Sequence, residues 1–329
     1  MPAASASPRC ESPCFSRRAL ILALSSFVTG TIIHNNVHLY ILFNTHVVSG
    51  IGEVWRRLPS AGASHAVATV LSSQHEAGRC EHSPQYGGVR AGRLCLYLRA
   101  GDLRGFRLHM SIRPIGILDS GVGGLTVLRE IRAILPHEPM AYLADSANLP
   151  YGSKTDIWIQ QRVLHLADQM VNRYDIKTLV VACNTATAAA AGALRGHLSI
   201  PVIGMEPAVK PASEATKNGT VGILATEGTI RSARLAGLLK AFADGLHVIT
   251  RPCPGLVEMI ENSEPGSAEL RENVEQFLQP LLHQGADTIV LGCTHYPLLR
   301  ELIRDIVGPD IHLIDTGAAV ARQTLRQLT

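Results

Sequence analysis

Thr178-Leu-Val-Val-Ala-Cys183-Asn-Thr-Ala186, followed by an alanine-rich run to Arg195, is the segment whose reading decides the fold class. A short apolar run leads into a cysteine, two small polar residues and then strong helix formers. An uninterrupted apolar run of this length, bounded in this way, reads as a strand buried on both faces of a parallel sheet. The pattern recurs. Thr288-Ile-Val-Leu-Gly-Cys293 matches Thr178 to Cys183 at an offset of 110 residues, and Val221-Gly-Ile-Leu-Ala-Thr226 matches Ile115-Gly-Ile-Leu-Asp-Ser120 at an offset of 106. Two matched pairs at similar offsets predict an α/β protein of two pseudo-symmetric domains, each a parallel sheet flanked by helices, with the site in the cleft between them.

Working outward, apolar runs alternate with amphipathic stretches from Met110 to the C-terminus. Strands are predicted at Ile115–Leu118, Met140–Leu143, Thr178–Ala182, Val202–Gly204, Val221–Leu224, His247–Thr250, Thr288–Leu291 and His312–Ile314. Helices are predicted between them at Leu125–Leu135, Asp156–Asn172, Ala186–Arg195, Ala208–Thr216, Thr229–Ala243, Gly255–Asn262, Ala268–His283, Pro297–Val307 and Ala318–Leu328. Such alternation is the signature of β-α units.

The first third differs. The 329 residues carry a formal net charge of +3, but residues 1–109 hold eleven arginines, no lysine and five acidic residues, a balance of +6. Residues 110–329 hold nineteen basic and twenty-two acidic residues, a balance of −3. The basic total therefore says nothing about nucleic acid or membrane partners of the remaining body. The leader shows no sustained periodicity, and its one coherent feature is the apolar run Ala19–Ile33 behind Arg17-Arg18. Three readings stand for it: a secretory signal or anchor, an organellar transit peptide, or a stretch outside the working protein, which we favour because Met110-Ser-Ile-Arg-Pro-Ile reads as a natural start. Cys10, Cys14, Cys80 and Cys95 lack metal-ligand spacing.

Chemistry is concentrated at strand ends. In open α/β sheets, ligands bind beyond the carboxyl ends of the strands, where helices begin. Cys183 and Cys293 sit at two such ends, related by the repeat, and helix-end amides there are expected to stabilise a thiolate. Cys253, in Arg251-Pro-Cys-Pro-Gly255, lacks that setting and reads as structural. Two weak acids facing one cleft suit a reaction in which one removes a proton from carbon and the other returns one to the opposite face. Asp119-Ser120-Gly121-Val122-Gly123-Gly124 lacks the spacing of a dinucleotide or P-loop motif and reads as a glycine corner presenting amides to a small carboxylate. Asp119 is expected to hold a substrate ammonium or orient a thiol proton, and Tyr151-Gly152-Ser153 to form a loop able to close over substrate. Lys154, Lys177, Lys210, Lys217 and Lys240 show no Schiff-base setting, and no metal spacing is present, so no cofactor is expected.

Leu118-Asp-Ser-Gly-Val-Gly-Gly-Leu-Thr126, Pro150-Tyr-Gly-Ser-Lys154, Ala182-Cys-Asn-Thr-Ala186, Gly292-Cys-Thr-His-Tyr-Pro297 and Ile314-Asp-Thr-Gly317 together resemble the glutamate racemases of the aspartate/glutamate racemase superfamily. The resemblance covers Ile112 to the C-terminus. It implies a cytoplasmic, cofactor-independent, homodimeric enzyme that supplies D-glutamate for peptidoglycan. Cys183 and Cys293 would be the two bases, Asp119 and His295 their auxiliaries, and Glu261 a further catalytic glutamate, with Glu258 the fallback. Asp119, Ser120, Tyr151, Gly152, Asn184, Thr185, Thr294 and His295 would contact substrate. Residues 112–205 with 316–329 would form one domain and 206–315 the other, with the last helix slightly short. Two alternatives remain open: an aspartate racemase of the same superfamily, and a non-catalytic protein that uses this fold to contact DNA gyrase.

Overall fold

The computed structural model describes residues 113–264 and 266–329, together with strand segments at 30–34, 39–43, 66–70, 90–91 and 94–95. From residue 113 onward the strands are β1 (Ile115–Asp119), β2 (Met140–Ala144), β3 (Thr178–Val181), β4 (Val202–Gly204), β5 (Thr220–Ala225), β6 (His247–Pro252), β7 (Thr288–Leu291) and β8 (His312–Ile314). The α-helices are α1 (Leu125–Ile134), α2 (Asp156–Tyr174), α3 (Asn184–His197), α4 (Val209–Ala215), α5 (Glu227–Arg231), α6 (Ala233–Phe242), α7 (Leu256–Asn262), α8 (Ala268–His283), α9 (Arg300–Val307) and α10 (Gly317–Leu328).

The eight strands form two parallel sheets with one topology, β2-β1-β3-β4 and β6-β5-β7-β8. In each, the strand order reverses between the first and third members, and crevices open at such switch points beyond the carboxyl ends. Ser120 and Cys183 leave the first sheet there, and Thr226 and Cys293 leave the second.

Both faces of each sheet are covered by helices. Val127, Leu128 and Ile131 of α1 pack with Ile115, Ile117 and Met140 and with Val320 and Ala321 of α10, so the last helix returns to the first sheet. The opposite face meets Val163, Leu166 and Met170 of α2 and Ala190 and Leu194 of α3. On the second sheet, α8 contributes Leu270, Val274, Leu278 and Leu281 to one face, and α4 and α6 contribute Val209, Ala212 and Leu235 to the other. Each fully buried Leu or Ile contributes roughly 1.5–3 kcal/mol. Among the described residues, no helix is long and apolar enough to cross a membrane.

Two local expectations differ from the structure. The helix expected at Thr229–Ala243 is two helices, because Ser232 is extended (φ −69°, ψ 139°) and its side chain accepts the Leu235 amide, an N-cap that restarts the chain. The helix expected from Pro297 begins as a 3-10 turn, Tyr296–Leu299, and becomes α-helical only at Arg300.

Strand segments of the leader join the first sheet. Leu39–Phe43 runs antiparallel to β2, pairing Leu39 with Ala144 and Phe43 with Met140, and Gly30–His34 and Ala66–Val70 extend the sheet outward. The open edge of β2 presents unpaired backbone groups that accept a further strand. A continuous apolar run carries no alternation to reveal that pairing beforehand. The rest of the leader, including Cys10, Cys14, Cys80 and Arg17-Arg18, lies outside the described residues.

Candidate active site

The two switch points open onto one cavity. Ser120, Pro150, Tyr151, Gly152, Cys183, Asn184 and Thr185 line it from the first sheet's side, and Thr226, Val257, Cys293, Thr294 and His295 from the second. Both thiols are buried and free. Seven of the eight expected substrate contacts stand on its wall; Asp119 and Glu261 stand behind that wall.

On the Cys293 side, three residues form a chain. Glu261 Oε1 lies 2.7 Å from His295 Nε2, and His295 Nδ1 lies 3.9 Å from Cys293 Sγ. Glu261 also accepts the Val122 amide at 2.8 Å, which joins α7 to the glycine corner after β1. Glu258, the fallback, is held apart from this chain at the start of α7, where its charge acts on Tyr296.

The glycine corner does different work from that expected. Its amides are turned onto side chains: Gly124 donates to Asp119 Oδ2 at 2.7 Å, Val122 to Glu261, and Gly123 faces His295 Nε2 at 3.3 Å. Tyr142 donates to the Gly121 carbonyl at 2.5 Å from beneath. The Val122 and Gly124 amides are therefore committed to the two acids, and the corner is not a free cradle for a substrate carboxylate. Glycine is required because a Cβ on Gly121 would press on Glu261 Oε1 and one on Gly123 on His295 Nδ1.

With this geometry in view, comparison with known proteins is informative. A family model described as Asp/Glu/Hydantoin racemase matches residues 116–324. The chain belongs to the Asp/Glu/hydantoin racemase family. It is 52% identical over 215 residues to a glutamate racemase of Methylococcus capsulatus, covering 65% of this chain and 79% of the relative. It is 54% identical over 217 residues to one of Pseudomonas paraeruginosa, covering 66% and 82%. A solved glutamate racemase from Bacillus anthracis matches with TM-score 0.60 and 40% identity, covering 65% of this chain and 81% of that one. An Escherichia coli glutamate racemase, solved with L-glutamate and the activator UDP-MurNAc-ala, matches with TM-score 0.60 and 38% identity, covering 66% and 82%.

In this racemase-family site the electrostatics overturn one expectation. Cys183 was expected to be a stabilised thiolate at the end of α3. Burial pushes its thiol well above the ordinary range and the Asp119 charge adds to that, outweighing the Ala186 amide and the Ser120 hydroxyl, whose Oγ is 3.9 Å from Sγ. Cys293 does not stand at an α-helix end at all, since a turn and the 3-10 segment follow it. Asp119 is pushed up to about 6, first by burial, with the His295 charge and the Gly124 amide opposing. His295 is buried, which lowers its pKa, yet its bonds to Cys293 and Glu261 carry it well above the ordinary value, so it holds a second proton.

The Tyr151 loop is anchored, not loose. Tyr151 donates to Asp145 at 2.6 Å and sets its ring edge-on to Trp158 at 5.8 Å. Asn184, the first residue of α3, is 4% exposed and its amide oxygen and nitrogen have no partner. Thr226 was overlooked in the sequence although the repeat carried it, since it is the counterpart of Ser120. Its hydroxyl meets Thr185 at 2.8 Å and Thr229 at 3.0 Å. Cys253 lies deeper, with its thiol pushed up to about 12 by burial. Among the described residues, no group of three or more His, Cys, Asp and Glu is arranged to hold a metal ion.

Proposed function

We propose that this chain interconverts L- and D-glutamate without a cofactor, with Cys183 and Cys293 as its two acid-base groups. The observation that carries the reading is that two buried thiols, from equivalent positions of two sheets, face one cavity. A carbon acid held between them loses its α-proton to one sulfur and receives a proton from the other on the opposite face, which inverts the centre.

The surroundings give each thiol a different resting role. Cys183 is held as the neutral thiol, ready to donate. On the other side Glu261 fixes Nε2–H of His295, so Nδ1 is the atom that exchanges a proton with Cys293 Sγ. For the reverse direction Cys183 must shed its proton, and Asp119, with a pKa of about 6, is the nearby carboxylate suited to help. The unpartnered Asn184 amide and the Ser120, Thr185, Thr226 and Thr294 hydroxyls supply hydrogen-bonding capacity for a polar substrate. Glutamate is supported as that substrate by the relatives' activity, and the family resemblance supports use of the D-product in peptidoglycan precursor synthesis.

The test is racemisation of L-glutamate in D₂O without pyridoxal phosphate. The expected result is α-deuterium in the D-product, abolished by Cys183→Ser. Full retention of α-protium in the inverted product, or activity on L-aspartate alone, would overturn the reading.

A further inference from the structure

Asp145 directly follows β2 and its carboxylate is wholly buried, yet it lines no part of the cavity. Its two oxygens are met by Asn148, Arg162 and Tyr151. Oδ1 accepts from Asn148 Nδ2 at 3.0 Å and Arg162 Nη2 at 2.8 Å, and Oδ2 accepts from Arg162 Nε at 2.8 Å and the Tyr151 hydroxyl at 2.6 Å. Arg162 reaches in from the second turn of α2 as a two-pronged clamp. A buried ion pair returns little stability for the hydration it gives up, which makes a geometric purpose the better account of it.

What the pair holds is the Pro150–Gly152 turn, whose three residues all stand on the cavity wall beside Cys183. The same turn is pressed from the far side. A Cβ on Gly152 would lie 2.8 Å from Thr226 Cβ, and one on Gly228 would lie 3.1 Å from the Gly152 carbonyl oxygen. The turn is therefore gripped between an ion pair of the first sheet and the start of α5 on the second, where the two sheets meet at the cavity.

We propose that Arg162 is a positioning residue: acting through Asp145 and Tyr151, it sets where the Pro150–Gly152 turn stands against the substrate. This role rests on the racemase reading above. Arg162 does not line the cavity, so its effect is on substrate placement, where a shift of about 1 Å can cost up to about 100-fold in rate.

The experiment compares steady-state glutamate racemisation and thermal unfolding of the parent chain with those of Arg162→Lys, Arg162→Met and Tyr151→Phe. Arg162→Lys keeps the charge and loses the parallel pair of bonds, and Tyr151→Phe keeps the ion pair and cuts its link to the turn. Both are expected to raise KM about tenfold while kcat changes less than about threefold, at temperatures far below unfolding, with Arg162→Met more severe. Should Arg162→Met fail to fold, the other two decide. A lower unfolding temperature with KM and kcat unchanged in both overturns the positioning role and leaves the racemase reading intact. A parent chain that racemises neither glutamate enantiomer removes that reading and this role with it.

Discussion

Glu261 Oε1 stands 2.7 Å from His295 Nε2 across 34 residues of sequence, and both side chains are buried. A carboxylate in that place holds the imidazolium charge and fixes which nitrogen faces Cys293. His295 has a folded pKa above its unfolded value, so its stabilising contribution is full below about pH 6.5 and is lost as pH rises through the folded value. Glu261→Gln keeps the shape and removes the charge. The expected result is a kcat lowered about 100-fold and an alkaline limb displaced to lower pH. Profiles of kcat from pH 6 to 10 for parent and variant check this, and an unmoved limb counts against the Glu261–His295–Cys293 chain.

Asp119 shifts in the same direction over a lower pH window. Its carboxyl titrates near 3.8 when unfolded and near 6 in place, so the folded state binds more protons between those values and stability falls as pH rises through that window. The cost of holding the carboxylate above pH 6 is about 3 kcal/mol. Asp119→Asn cannot ionise. Relative to the parent, it should gain stability steadily from pH 4 to pH 7 while losing activity. Thermal unfolding of both proteins across that range is the check, and a pH-independent difference would show that Asp119 carries no such strain.

The parts legible in the sequence were those set by local pattern. All eight strands from β1 to β8 were read because short apolar runs alternate with helical stretches, and in the central strands, covered on both faces, those runs are unbroken. The repeat of Thr178–Cys183 at Thr288–Cys293 gave two sheets of like topology, and it already held Thr226 as the partner of Ser120, a correspondence drawn for strands and not followed into the cavity. The state of Cys183 was misread because helix-end amides are visible in sequence whereas burial and the neighbouring Asp119 are tertiary facts. The glycine corner was misread for a related reason, since nothing near Gly121–Gly124 in sequence shows that Glu261 and His295 fold back onto its amides. Leader strands pairing with β2 depend on contacts about 100 residues distant, which periodicity cannot report.

Asn184 offers a test in which stability and function separate. Its side-chain oxygen and nitrogen are buried without partners, an arrangement that costs the folded protein roughly 1–3 kcal/mol per group left unmade. That cost is sensible only if a ligand completes the bonds. Asn184→Ala should unfold at the parent's temperature or above it while KM for glutamate rises about tenfold. A destabilised variant with unchanged KM would assign Asn184 to the fold and not to the substrate.

Gly123 and Gly192 make a paired experiment on close approach. A Cβ on Gly123 would press on His295 Nδ1 and lie 2.7 Å from Thr294 Oγ1, two groups pinned by Glu261 and by the turn after Cys293. Gly192 lies in the exposed interior of α3, and a Cβ there meets nothing within 4 Å. Gly123→Ala should therefore cost about 1–3 kcal/mol and displace the histidine, with activity falling further than stability. Gly192→Ala should gain about 1 kcal/mol, since it removes backbone freedom from a helix without new contacts, and leave kcat and KM unchanged. Denaturant midpoints and racemisation rates for both variants provide the check. If Gly123→Ala retained full activity, His295 would not need its present place against the glycine corner.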